Sequence, residues 1–316
     1  MGLVTRVYYN AVFGALGGLV GWMLFGIFGD KNAPHDRVTA QLLLGGAFIG
    51  GAIGYFLVSV EAIRDRSLVR FVRLASYGVV LGLVGGALGM VVGDKVNTWL
   101  VGWLGASRHG GSVPHLLGTM VARGLGWLFL GVAVGFSEGI AARSLGKFSY
   151  GTAGGAIGGF IGGCLFGMFY LLAMQALSTT YFWNALGLVI LGACIGSLSA
   201  LVQGVFQPAS VKVLRGWQEG REYPLEKPES LLGRDEHADI ALFRDMKVEK
   251  KHALIRRDGN RYVLRNNRAP ADFTRVNDAP VAGDCELRDG DRIQLGNVLL
   301  RFQLRAAQAR KKKVRR

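Results

Sequence analysis

Six apolar, glycine-rich runs follow one another before Phe206, and they leave few architectures open to this chain. They are Tyr8–Phe28, Gln41–Val60, Ser76–Val92, Leu116–Phe136, Gly151–Met174 and Asn184–Phe206. A run of about 20 apolar residues crosses the hydrocarbon of a bilayer as a helix, because in lipid every backbone N–H and C=O must be bonded internally. Of the 48 glycines most lie before Phe206, whereas the charges crowd into the last third of the chain. The chain therefore divides into parts of different class. We expect a transmembrane helical domain over 1–206, a polar domain with a leading linker over 207–304, and a basic tail over 305–316. The first run is followed by others of its kind, so we expect it to be a span and not a cleaved leader. Arg123 falls inside the fourth run; starting that helix near Gly124 would leave it at the interface, where its long stem snorkels.

Cations set the expected orientation. Between the second and third runs lie Arg64, Arg66, Arg70 and Arg73; Arg143 and Lys147 lie between the fourth and fifth. The alternate connections are balanced or uncharged. The positive-inside rule then predicts a multi-pass protein of the cytoplasmic membrane with both termini in the cytoplasm. The net charge is +15, and the tail "RAAQARKKKVRR" adds to it. Its position favours anionic lipid as its contact over nucleic acid.

The runs also repeat. "VSVEAIRDRSLVRFVRLASYGVVLG" resembles "VGFSEGIAARSLGKFSYGTAGG", and a weaker third copy begins at "SALVQGVFQPASVKVL", where Gln203 stands for a glutamate. This predicts a helical hairpin repeated about three times. Glycines recur every fourth residue at Gly46, Gly50 and Gly54, at Gly78, Gly82 and Gly86, and from Gly151 to Gly167. Such a stripe lets helix backbones approach closely. A pore lined by the same helices is the competing reading, and with it a transporter or channel. Glu61 and Glu138 occupy equivalent repeat positions at the ends of spans, where pairing with Arg64 or Arg143 is the simplest expectation.

From about Leu214 the pattern changes to short alternating runs, "ADIALF", "HALIRRDGNRYVLRN" and "DRIQLGNVLLRFQL", separated by Gly, Asn, Asp and Pro. Those are the marks of an all-β sandwich or barrel. "RDGNRY" predicts a tight hairpin with Asp258-Gly259 in the turn. Asp289-Gly290-Asp291 predicts another turn, with Ile293 and Leu295 returning to the core.

In order, "LLGRDEHADIAL", "VEKKHALI", "YVL", "TRVND" and "LRDGDRIQLG" resemble a forkhead-associated (FHA) domain over about Val213 to Leu304. The resemblance implies a sandwich of two sheets whose loops at one end take phosphothreonine peptides. It also implies a docking module with a protein partner, not an enzyme. By resemblance Gly233 and Arg234 match the family's phosphate-contacting pair, which suits a guanidinium fork. The family's serine is replaced by Glu249, followed by Lys250, Lys251 and the matching His252, which supports the loop in that family. The asparagine that holds the peptide backbone falls at Asp272, and its following glycine at Phe273. A phosphate carries a charge of about −1.5 to −2, so Glu249 and Asp272 should weaken its binding. Glu249 is also placed to pair with Arg234 and fill the phosphate position from within, which would leave a degenerate member that binds an unphosphorylated partner surface or serves assembly, the alternative to phosphate binding through Arg234, Lys250 and Lys251.

Catalytic and cofactor patterns are not evident. Cys164, Cys194 and Cys285 lack metal or disulfide spacing, and His109 and His115 have no acidic or cysteine neighbours. We expect no metal and no cofactor. The combined expectation is a polytopic helical membrane domain joined to an FHA-like β-sandwich.

Overall fold

The computed structural model describes residues 3–28, 38–65, 68–103, 113–142, 144–175, 180–225, 227–235, 237–242, 244–259, 261–267 and 269–304. The chain forms two compact units, Gly2–Val205 and Phe206–Arg316 with Met1.

The first unit is built of α1 (Leu3–Phe28), α2 (Val38–Asp65), α3 (Leu68–Trp103), α4 (Val113–Ala142), α5 (Leu145–Gln175) and α6 (Thr180–Phe206). All six are long and apolar enough to cross a membrane. Large apolar side chains such as Tyr8, Met23, Val80, Leu88 and Phe182 are exposed on their outer faces. Ile53, Leu130, Val134, Leu191 and Ile195 are buried inside. Two boundaries differ from the sequence reading. The third helix runs on past Val92 through Asp94 and Lys95 to Trp103, since no proline interrupts it and apolar residues resume at Val96. The fourth begins at Val113, so Arg123 lies well inside it and not at its start. Room for the Arg123 stem comes from α5: a Cβ on Gly167 would lie 3.4 Å from Arg123 Cβ and 3.5 Å from its Cγ.

The glycine stripes meet each other in register. Gly46, Gly50 and Gly54 of α2 lie against Gly86, Gly82 and Gly78 of α3, so close that a methyl on any of them would strike a carbonyl opposite. On the next pair, Gly131 and Gly135 of α4 face Gly155 and Gly151 of α5. A shift of 77 residues carries Gly54 and Gly78 onto Gly131 and Gly155, which makes the first two hairpins true copies.

The third copy departs from the expected one. Instead of pairing with residues after it, α6 pairs with α1: Gly192 meets Gly14, Gly18 meets the Leu188 carbonyl, and Gly196 meets the Asn10 carbonyl. Arg6 Nη2 also donates to Gln203 Oε1 at 2.6 Å, linking the same two helices. The physical reason lies at the two ends of the helical unit. Pro208 and the alternating residues after it leave the helical pattern for a strand, while α1 carries the glycine spacing that α6 needs. The third hairpin is thus divided between the two ends of the unit. The side chains of Glu61, Glu138, Arg64 and Arg143 lie outside the described residues, as do His109 and the basic tail.

The second unit is a sandwich of two sheets. One sheet has the order β2 (Glu222–Pro224), β1 (Ala209–Arg215), β11 (Val298–Leu304), β10 (Arg292–Leu295), β7 (Thr274–Val276), β8 (Ala279–Pro280). The other runs β4 (Ile240–Ala241), β3 (Glu229–Gly233), β5 (Ala253–Asp258), β6 (Arg261–Asn266), β9 (Asp284–Leu287). Alternate residues enter the core between them: Val211 and Val213, Ile255, Tyr262 and Leu264, Ile293 and Leu295, Leu300 and Phe302. The β5–β6 register pairs Asp258 with Arg261, and in the tight turn between them Gly259 takes φ +57°. Asp258 is the last residue of its strand and not part of the turn, because only glycine takes that left-handed conformation without strain. The Asp289–Asp291 turn is as expected: the Arg288 N–H donates to Asp291 Oδ2 at 2.6 Å and Gly290 has φ +90°.

Candidate phosphopeptide-docking site

Main-chain hydrogen bonds bring the motif residues together. At the end of β3, the Arg234 N–H donates to the Glu249 carbonyl at 2.9 Å and the Asp235 N–H to the Lys250 carbonyl at 3.2 Å. Gly233 sits so close to the Lys250 carbonyl that a Cβ would collide with it. This gives a packing reason for the glycine before the arginine. The loop between β6 and β7 is tied to the same place. The Asn267 N–H donates to the His252 carbonyl at 3.0 Å, and Asn267 Nδ2 to the Lys251 carbonyl at 2.9 Å. Asn266 braces that loop from within, its amide spanning Ala269 and Val281. Neither asparagine was singled out from the sequence; their roles depend on loop path, which has no local signature.

His252 is the buried pin of the site, with no solvent exposure. Its Nδ1 accepts from the Glu249 N–H at 3.0 Å, so the ring proton is on Nε2, which faces Thr274 Oγ1 at 3.0 Å. Thr274 is itself fully buried. Burial holds the His252 imidazole below the ordinary histidine range, offset in part by the Phe273 backbone and by the fields of Glu249 and Asp245. A second proton would also point an N–H at the Glu249 N–H. The folded pKa thus lies below the unfolded value of about 6.5, and the unfolded chain takes the proton first. Stability from this group is present above about pH 6.5 and is lost as the pH falls from there through the lower folded pKa. We expect the amides of β5 and β7 to lose hydrogen-exchange protection between about pH 7 and pH 5, after correction for intrinsic exchange. A flat profile would contradict this assignment.

The remaining residues are at the surface. Lys250, Lys251 and Glu249 are exposed, and Asp272 is exposed in a single 3-10 turn, Ala271–Phe273. The expected Arg234–Glu249 ion pair is not formed. The two residues meet through their backbones, and the Arg234 guanidinium turns instead to Met246, whose Sδ accepts from Nη1 at 2.8 Å. Sequence reasoning missed Met246 because nothing in "RDMKVEK" marks it as a neighbour of Arg234. Among the described residues no group of His, Cys, Asp or Glu is placed to hold a metal ion.

Residues 212–306 match the family described as the inner membrane component of T3SS, cytoplasmic domain. An FHA domain studied for phosphothreonine-dependent interactions is 31% identical, covering 31% of this chain and 97% of that one at a TM-score of 0.28. The FhaA FHA domain, solved in complex with the intracellular domain of Rv3910, is 32% identical over 30% of this chain and 99% of that one, at a TM-score of 0.27. The Rv1747 FHA-1 domain of Mycobacterium tuberculosis is 26% identical, covering 31% and 97% of the two chains, at a TM-score of 0.26. No curated protein matches the chain in sequence. In its C-terminal unit the chain carries a forkhead-associated domain, which the family match over residues 212–306 supports. It is a protein-interaction module joined to six helices of membrane-spanning length, which defines a membrane-anchored interaction protein.

Proposed function

We propose that this protein docks a phosphothreonine-containing segment of a protein partner at the cytoplasmic face of a membrane. The observation that carries the reading is the state of Arg234. Its backbone is locked to the Glu249–Lys250 loop, while its guanidinium rests on a thioether and not on Glu249. Sulfur is a weak acceptor, so a phosphate, which accepts charge-assisted bonds from a guanidinium fork, displaces it readily. Exposed Lys250 and Lys251 on the adjoining loop add to the attraction. Glu249 and Asp272 subtract from it, and the affinity is correspondingly modest. The family description of an inner-membrane component's cytoplasmic domain supports the membrane setting. The arginine-rich connections support cytoplasmic termini, and the division 1–206, 207–304 and 305–316 follows from the same reading. The basic tail is assigned to anionic lipid.

The test is a titration of the full chain in nanodiscs with a phosphothreonine peptide library and its unphosphorylated twin. Phosphate-dependent binding is the expected result. Equal binding of both libraries would overturn the phosphate reading, and binding of neither would overturn docking through this face.

A further inference from the structure

We infer that Trp217 and Arg244 form a second recognition element beside Arg234, one that takes an acidic side chain of the same docked segment. The inference rests on the docking reading above, and its evidence lies outside the motif residues. Beyond Phe206, the large apolar side chains described as exposed in this unit are Trp217, 46% accessible, and Met246, 77% accessible. Trp217 follows β1, Met246 lies in the loop between β4 and β5, and that loop touches both sites. The Arg244 guanidinium carbon stands 4.4 Å from the centroid of the Trp217 ring, and Met246, two residues on, reaches Arg234. The four residues Arg244–Lys247 therefore run from the indole to the arginine of the docking site.

The stretch is built, not incidental. β1 ends in an irregularity between Val213 and Arg215, followed by Gly216 at φ +139° and then Trp217. Bulges of this kind re-aim the side chains that follow. Arg244 has φ +69°, a left-handed conformation that non-glycine residues adopt at a cost and that recurs at functional sites. Asp245 holds it there. Its carboxylate accepts from the Asn297 N–H at 2.6 Å, from Asn297 Nδ2 at 3.2 Å and from the Lys247 N–H at 3.1 Å. A guanidinium stacked on an indole keeps its N–H edges for a ligand. Among the described residues no carboxylate is within ion-pair distance of Arg244, and the Asp245 oxygens are already taken by the loop. Arg215 at the end of β1 and Lys247, Lys250 and Lys251 of the loop before β5 are exposed. This charge selects an aspartate or glutamate of the partner.

The test uses the full chain in zwitterionic nanodiscs and two phosphothreonine peptide sets, one with a glutamate scanned along the segment and one with alanine in its place. Arg244→Gly removes the cation while favouring the observed backbone, and Trp217→Leu removes the stacking face. We expect the wild type to prefer a glutamate at one spacing by roughly fivefold, and either variant to abolish that preference while still binding the alanine peptides. Glutamate and alanine peptides bound alike by the wild type, with Arg234→Ala still losing both, would overturn this inference and leave the docking reading standing. No phosphate-dependent binding by the wild type would overturn both. Loss of binding to anionic vesicles alone in Arg244→Gly would assign the element to lipid and overturn it as well.

Discussion

Gly82→Val should unfold the helical unit or leave it unable to assemble, with a thermal transition in detergent lowered by on the order of 10 °C or more. At this position α3 lies against α2 with nothing between the backbones: a Cβ on Gly82 would strike the Gly50 carbonyl, and one on Gly50 the Gly82 carbonyl. A flexible side chain can move aside, but a helical carbonyl cannot without shifting its whole helix. In lipid no hydrophobic drive compensates, because the tails are as apolar as valine, and close packing is what holds such helices together. The Gly78 and Gly86 contacts on either side would be lost with it. Gly26, beside which nothing lies within 4 Å, is the control: Gly26→Val should leave the transition nearly unchanged. Equal melting of the two variants would show that the seam does not bear the packing described.

Arg234→Ala should remove phosphate-dependent binding, and Glu249→Ser should strengthen it by about tenfold. The first change deletes the fork that meets the phosphate, an interaction of about 1.5–3 kcal/mol when the partners are charged. The second deletes a carboxylate from the loop facing a dianion and restores a hydroxyl donor. The exposure of the Glu249 side chain makes the change tolerable, because the backbone bonds from Glu249 to Arg234 and to His252 do not use that carboxylate. Isothermal titration with a phosphothreonine peptide checks both. An Arg234→Ala protein that binds as the wild type does would move the phosphate contact to the lysines, and a Glu249→Ser protein with weakened binding would show that the carboxylate helps the ligand.

Much of this was legible before any coordinates. The six spans follow from apolar length, and the sandwich follows from period-two alternation, as at Ile293 and Leu295 or Leu300 and Phe302. Gly233, Arg234 and His252 were found by their order in the chain, and the structure brings them to one end of the sandwich. These are local signals, carried by residues within a turn or a strand of each other. What lay beyond them was pairing at long range. The glycine spacing of α1 is visible, but that it completes the third hairpin with α6 depends on which helix is left over once the others have packed. The carboxylate of Glu249 is plain in the sequence, yet its side chain and that of Arg234 do not meet, because backbone bonds set the approach and the sulfur of Met246 lies nearer. The sequence by itself determined the two classes of structure and the order of the residues that resemble the FHA motif. Only the tertiary structure decided the partner of α6, the thioether on Arg234 and the Trp217–Arg244 stack, since each depends on the path of a chain segment far away in sequence.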